Sequence, residues 1–224
     1  MIYLILVVVL FAVMFLPQFA TRQLLEKHSV ARKSFPGTGG QFAQHLIERF
    51  SIEGVSVEST PKGDHYDPAT RTVRLTPEKL EGKSLTAVVV AAHEVGHAIQ
   101  HHTRSRALRL RTWLAQFAQY GAIAAQIGLV ASPILVGVSP GLARMAIVLV
   151  VVGILLSTVV HLITLPVEWD ASFNKAMPIL REGDYLSEQD LVDAKRILTA
   201  CAFTYVSASL GSLLGLLRWV RWIR

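Results

Sequence analysis

Polar and apolar positions along this chain separate into long blocks before they show any helical or strand period. Ile2 to Leu16, Leu114 to Val138 and Leu142 to Leu165 are almost free of charge apart from Arg144. Each approaches or exceeds the roughly 20 apolar residues with which a helix crosses a bilayer. The first block has no basic residue ahead of it and no small-x-small cleavage site behind it, so it reads as a retained anchor. A fourth block, Leu198 to Leu217, is diluted by Thr199, Thr204, Ser207, Ser209 and Ser212, while Ala208, Gly211 and Gly215 suit close helix packing in a membrane. It is expected to span, with a buried amphipathic helix as the alternative.

Between the first two blocks the period changes. Gln41 to Phe50 has helical spacing at Phe42, Leu46, Ile47 and Phe50, and Pro36-Gly37-Thr38-Gly39-Gly40 is the break before it. Val55 to Glu58 and Thr72 to Thr76 alternate apolar with polar, which predicts two or three short strands, with Asp67-Pro68-Ala69-Thr70 as the turn before the second. Ser84 is the expected N-cap of a helix from Leu85 to about Thr103. Arg104, Arg106, Arg109 and Arg111 follow as an interfacial belt, and Gly137-Val138-Ser139-Pro140-Gly141 joins the second and third apolar blocks as a hairpin turn.

Composition sharpens the membrane reading. Hydrophobic residues make up 52% of the 224 residues and charged residues only 17%. The net charge of +6 sits beside apolar segments, which points to anionic lipid rather than nucleic acid as the partner. The single cysteine, Cys201, cannot form an internal disulfide and reads as a packing residue.

The chemistry is concentrated in His93-Glu94-Val95-Gly96-His97. Residues four apart share a helix face, so both imidazoles can point at one zinc ion while Glu94 lies beside its open position. The uncharged flanks Val90-Ala91-Ala92 and Ala98-Ile99 suit a helix buried beneath a cleft; the alternative is a structural His pair on a buried helix. Catalytic zinc needs a third protein ligand. A metzincin histidine would fall at Thr103, which excludes that class, and His101 lies too near along the same helix to close a good site. Glu168 is the better candidate, because it follows Pro166, which can begin or kink a helix, and would lie in a first helical turn, where a carboxylate is favoured. Asp170 is a candidate to orient a ligand imidazole from behind. Glu94 would act as general base, and His65 or Tyr66 as oxyanion donor, in Gly63-Asp64-His65-Tyr66-Asp67-Pro68. The strand Thr72 to Thr76 is a candidate edge for pairing with an extended substrate.

With these residues in place the chain resembles the bacterial membrane-bound neutral zinc metallopeptidases of the YugP type. The resemblance rests on Gly63 to Pro68, on Ala91-Ala92-His93-Glu94-Val95-Gly96-His97-Ala98-Ile99-Gln100, on Thr164-Leu165-Pro166-Val167-Glu168-Trp169-Asp170-Ala171-Ser172, and on Ala202 to Val206. It implies a peptidase of the inner (plasma) membrane, one zinc per chain and a polypeptide substrate associated with the membrane. A looser similarity to gluzincin membrane proteases adds weight to Glu168 as third ligand. The expected fold is thus mainly α: a gluzincin-like zinc-helix domain with a few short strands, plus three or four transmembrane helices.

The expected organisation is an anchor over 1–20, a polar domain with the zinc helix over 21–112, a transmembrane hairpin over 113–165, the third-ligand segment with polar helices over 166–197, and a C-terminal apolar helix over 198–224. Basic residues are dense in the 21–112 region and nearly absent from the 137–141 turn, which places the catalytic domain in the cytoplasm, although Arg218, Arg221 and Arg224 run against that orientation if the last block crosses. Two other function classes fit less well. A non-catalytic zinc-containing adaptor or assembly factor would have no need of Glu94, and a transporter would need more intramembrane ionisable residues than Arg144 and His161.

Overall fold

The computed structural model describes the backbone of residues 2–223, and their side chains except at 2–11, 13, 14, 129, 132, 133, 135, 136, 138, 140, 143 and 208–223. The expected anchor over 1–20 and the C-terminal span over 198–224 therefore fall largely outside the described side chains. The architecture is mainly helical with a few short strands. In order along the chain these are α1 (Ile2–Lys27), α2 (Gly39–Arg49), β1 (Ser56–Ser59), β2 (His65–Asp67), β3 (Thr72–Leu75), α3 (Pro77–Leu80), α4 (Leu85–His102), α5 (Arg106–Val138) and α6 (Pro140–Trp169). A π-helical segment (Asp170–Ala176), α7 (Met177–Glu182) and α8 (Glu188–Ile223) complete the chain.

The chain divides into two compact units. One comprises Leu16–Leu108 and Val167–Thr204, the other Met1–Phe15, Arg109–Pro166 and Tyr205–Arg224.

In the first unit α4 is the spine. Ser84 caps it as the sequence predicts, its Oγ accepting from the Ala87 amide at 3.2 Å, and Thr103 closes it. Leu85, Val88, Val89, Ala91, Ala92, Val95 and Ala98 are all buried, in one cluster with Leu46, Val73, Leu75, Leu180 and Ile197. Each fully buried aliphatic of this size contributes about 1.5–3 kcal/mol. Helix α2 begins with a capping box in which the Gln41 amide donates to Thr38 Oγ1 and the Thr38 amide to Gln41 Oε1. Gly39 and Gly40, which the sequence suggested only as part of a break, lie inside its first turn, and no side chain fits there: a Cβ at Gly39 would run into the Lys79 carbonyl and one at Gly40 would meet the Leu80 side chain at 2.7 Å.

The sheet has three strands in the order β1-β3-β2, with β1 parallel and β2 antiparallel to β3. Asp67 builds the β2–β3 turn by accepting from the Ala69 amide at 2.9 Å and the Thr70 hydroxyl at 2.9 Å. This order corrects one expectation. The strand Thr72–Leu75 is central and paired on both sides, so it cannot offer its edge to a substrate.

The second unit is held by small residues. A Cβ on Gly153 of α6 would lie 3.0 Å from both Ala125 Cβ and the Gly121 carbonyl of α5, and one on Gly128 would lie 3.3 Å from the Ala146 carbonyl. Such contacts let two helix backbones approach closely, as in membrane helix pairs. Large apolar side chains remain exposed along α6, among them Met145, Val148, Val152, Leu155 and Leu162. Among the described residues one helical stretch, Arg144–Glu182, is long and apolar enough to cross a membrane by length and composition, its most apolar window reaching a mean hydropathy of 2.8.

Candidate metal centre

Helix α4 places His93 and His97 one turn apart on one face, with ring centroids 4.8 Å from each other and planes at 81°. The facing wall is the end of α6 and the π-helical segment, which lies against α4 because Gly96 has no side chain: a Cβ there would meet the Ala171 carbonyl at 2.8 Å. Glu168 projects from this wall. Its Oε2 is 3.1 Å from His93 Nε2 and 3.4 Å from His97 Nε2, and one ligand atom from each of the three residues lies within 4.8 Å of the others.

Glu168 reaches this position by a different route from the one its sequence context suggested. Pro166 lies inside α6 and does not begin a helix, so Glu168 stands near the end of a long helix and gains nothing from a helix N-terminus. What favours its ionised form is the pair of imidazoles. Burial works to raise the Glu168 carboxyl, but the charges and hydrogen bonds of His97 and His93 outweigh it and hold the group well below the usual carboxylate range. For His97 burial works downward, and the facing Glu168 reverses this, lifting the imidazole to about 9.

Glu94 is buried beside this cluster, and its Oε2 has no hydrogen-bond partner among the described residues. Burial pushes its carboxyl above the ordinary range, against the lowering effect of His93 and His97. A buried carboxyl oxygen without a partner is costly unless something else satisfies it. The donor set itself suits zinc: two imidazole nitrogens and one carboxylate oxygen are the ligand types of one class of catalytic zinc site. The two distances from Glu168, 3.1 and 3.4 Å, are near the roughly 3.3–3.4 Å that zinc–ligand bonds of about 2.0–2.1 Å at tetrahedral angles put between neighbouring ligand atoms.

Behind the cluster, each imidazole has a partner on Nδ1. Ser172 Oγ lies 3.1 Å from His93 Nδ1, and Gln100 Oε1 lies 2.9 Å from His97 Nδ1. Asp170, the residue suggested for this role, touches neither ring; it accepts from Gln100 Nε2 at 2.7 Å and from Asn174 at 2.9 Å. Neither Gln100 nor Ser172 was singled out from the sequence, although their spacing was available: Gln100 is three residues past His97 and Ser172 four past Glu168, each on the same helix face as its ligand.

The two oxyanion candidates separate. In β2 successive side chains face opposite ways, and Tyr66 is buried while His65 is half-buried, sharing a 2.9 Å hydrogen bond between its Nδ1 and the Gly63 carbonyl. The Tyr66 hydroxyl shares a 2.7 Å hydrogen bond with His101 Nδ1, one turn beyond His97 on α4, and burial pushes the phenol up to about 12. His101 is thereby engaged away from the ligand cluster, which among the described residues contains His93, His97 and Glu168. Asp64 accepts from the Thr76 amide at 2.7 Å and pairs with Lys79 at 2.9 Å, tying the loop before β2 to α3.

No solved structure matches the chain. A Bacillus subtilis (strain 168) protein described as "Putative membrane protease YugP" is 34% identical over 226 residues, covering 98% of this chain and 96% of its own length. The family described as "Putative neutral zinc metallopeptidase" matches residues 3–224. The chain therefore belongs to this neutral zinc metallopeptidase family.

Proposed function

We propose that this chain is an integral membrane zinc endopeptidase in which His93, His97 and Glu168 hold one zinc ion and Glu94 is the general base. The observation that carries the reading is the convergence of three ligand atoms within 4.8 Å beside a buried Glu94 oxygen that lacks a partner among the described residues. Zinc in such a site supplies a Lewis acid that polarises the scissile carbonyl and brings the pKa of water toward neutrality.

The chain's own groups do the rest. Glu94 Oε2 takes a proton from the attacking water as its oxygen bonds to the carbonyl carbon, and returns that proton to the amide nitrogen as the C–N bond breaks. Burial raises the proton affinity of Glu94, which suits this double role. His65 and Tyr66 remain the candidate oxyanion donors, with the Tyr66 hydroxyl tied to α4 through its 2.7 Å hydrogen bond with His101. Ser172 and Gln100 hold the imidazoles in orientation.

The site is proposed to belong to a gluzincin-like domain carried by three or four membrane spans in the bacterial inner membrane. The division into an anchor over 1–20, a hairpin over 113–165 and a C-terminal apolar helix over 198–224 is part of this reading. It draws support from the description of the Bacillus relative as a membrane protease, from the apolar length of Arg144–Glu182 and from the exposed apolar residues of α6. Excess Lys and Arg in the 21–112 region favours a cytoplasmic catalytic domain and a membrane-associated polypeptide as substrate. Reporter fusions after residue 60 test the orientation, with alkaline phosphatase activity at that site counting against it.

The function is tested with detergent-purified full-length protein beside Glu94→Gln, a change that should keep the metal. The expected result is cleavage of a peptide library by the parent, at least ~10²-fold less by the variant, and equal zinc in both. Zinc in both with cleavage by neither would favour a zinc-containing adaptor instead.

A further inference from the structure

Gln100 is 1% exposed yet makes three hydrogen bonds with its side chain, and they join the zinc helix to both flanks of Glu168. Its Nε2 donates to the Val167 carbonyl at 2.9 Å and to Asp170 Oδ2 at 2.7 Å. Its Oε1 faces His97 Nδ1 at 2.9 Å.

We propose that Gln100 is a positioning residue that locks His97 in a single tautomer, with Nε2 turned to Glu168, while clamping the Glu168 segment against α4. This deepens the zinc-peptidase reading and rests on it.

The lock follows from the donor and acceptor inventory. The Val167 carbonyl can only accept, and the Asp170 carboxyl accepts from Gln100 on Oδ2 and from Asn174 on Oδ1. Both therefore demand N–H groups, and the two protons of the Gln100 amide are used up on them. The carbonyl end of the amide is left for His97, so Nδ1 must carry the ring proton. When the imidazole gives up one proton to bind a metal, Nε2, 3.4 Å from Glu168 Oε2, is then the nitrogen that offers its electron pair. Flipping the amide would set its oxygen against two acceptors, and flipping the ring's proton would set a lone pair against Oε1. The partner of His93 imposes no such choice, because the Ser172 hydroxyl can donate or accept. One imidazole is fixed by an oriented amide, the other only steadied.

The test uses full-length protein in detergent: zinc affinity by chelator competition, and imidazole ¹H–¹⁵N correlation of the zinc-loaded form. Gln100→Met, similar in shape but without hydrogen bonds, is expected to weaken zinc binding roughly 10–100-fold and to lose the protected His97 Nδ1–H signal. Ser172→Ala should weaken binding less than Gln100→Met. Should Gln100→Met not fold, Asp170→Ala removes one of the two acceptors that fix the amide and is expected to weaken binding several-fold. Parental affinity in Gln100→Met, or in Asp170→Ala where that variant stands in, overturns the inference. So does a lowered unfolding temperature with affinity and imidazole pattern unchanged, which would make Gln100 a packing residue. A parent chain that binds no zinc would instead overturn the ligand assignment, and the inference with it.

Discussion

Helices α4 and α6 are both apolar over most of their length, and they dispose of that surface in opposite ways. Helix α4 buries Leu85, Val88, Val89 and Val95 in the core of its own unit and spends its remaining face on His93 and His97. Helix α6 is the more apolar of the two, yet leaves Val148, Val152 and Leu155 exposed and buries chiefly small or polar groups such as Ala146, Thr158 and Thr164. Hydrophobicity alone therefore says little about where a side chain ends up. A helix that closes a core needs neighbours from its own unit, whereas one that presents a continuous apolar face needs an apolar solvent.

Substitutions at matched positions sharpen the contrast. Leu85→Ala, at a fully buried site, is expected to cost about 2–5 kcal/mol of unfolding free energy in any medium. Val148→Arg, at a residue 53% exposed, should be nearly silent if α6 faces water and cost about 2.5–3.5 kcal/mol if it faces lipid. Unfolding in bicelles measures both, and a silent Val148→Arg would break the comparison. Gly96→Ala should cost roughly 1–3 kcal/mol and weaken zinc binding, because its Cβ would press on the Ala171 carbonyl at 2.8 Å and push the Glu168 wall away.

The smallest expected effect is at Tyr66. Its phenol ionises near 10 when unfolded but is held neutral to about 12 when folded, so the stability this contributes is complete below pH 10 and is lost as pH rises toward 12. Tyr66→Phe should lose about 1 kcal/mol at neutral pH through the His101 hydrogen bond and then fall less steeply than the parent between pH 10 and 12. Parallel melting curves across that range would contradict the burial of this hydroxyl.

What could be read in advance was local. The cap at Ser84, the face shared by His93 and His97, and the turn at Asp67 each depend on residues a few positions apart, and each stands in the structure as expected. What could not be read was set by distant pairing. Whether Thr72–Leu75 is an edge depends on β1 coming alongside it in parallel, which no alternation within the strand encodes. Glu168 was legible as a residue but not in its setting, because whether Pro166 starts a helix or sits within one is decided by the run that precedes it. Gly96, which costs a helix about 1 kcal/mol against Ala, already implied a packing reason, but the identity of that neighbour and the partners of Gln100 came only from the wall 70 or so residues away.

The central claim, that His93, His97 and Glu168 hold one zinc, is most directly tested by zinc content and zinc-edge X-ray absorption of the full-length protein beside Glu168→Ala. The account predicts one zinc per chain in a shell of nitrogen and oxygen that includes two imidazoles, and loss of most of that zinc in the variant. Sulfur in the shell, or a variant that keeps its full zinc with an unchanged spectrum, would contradict it.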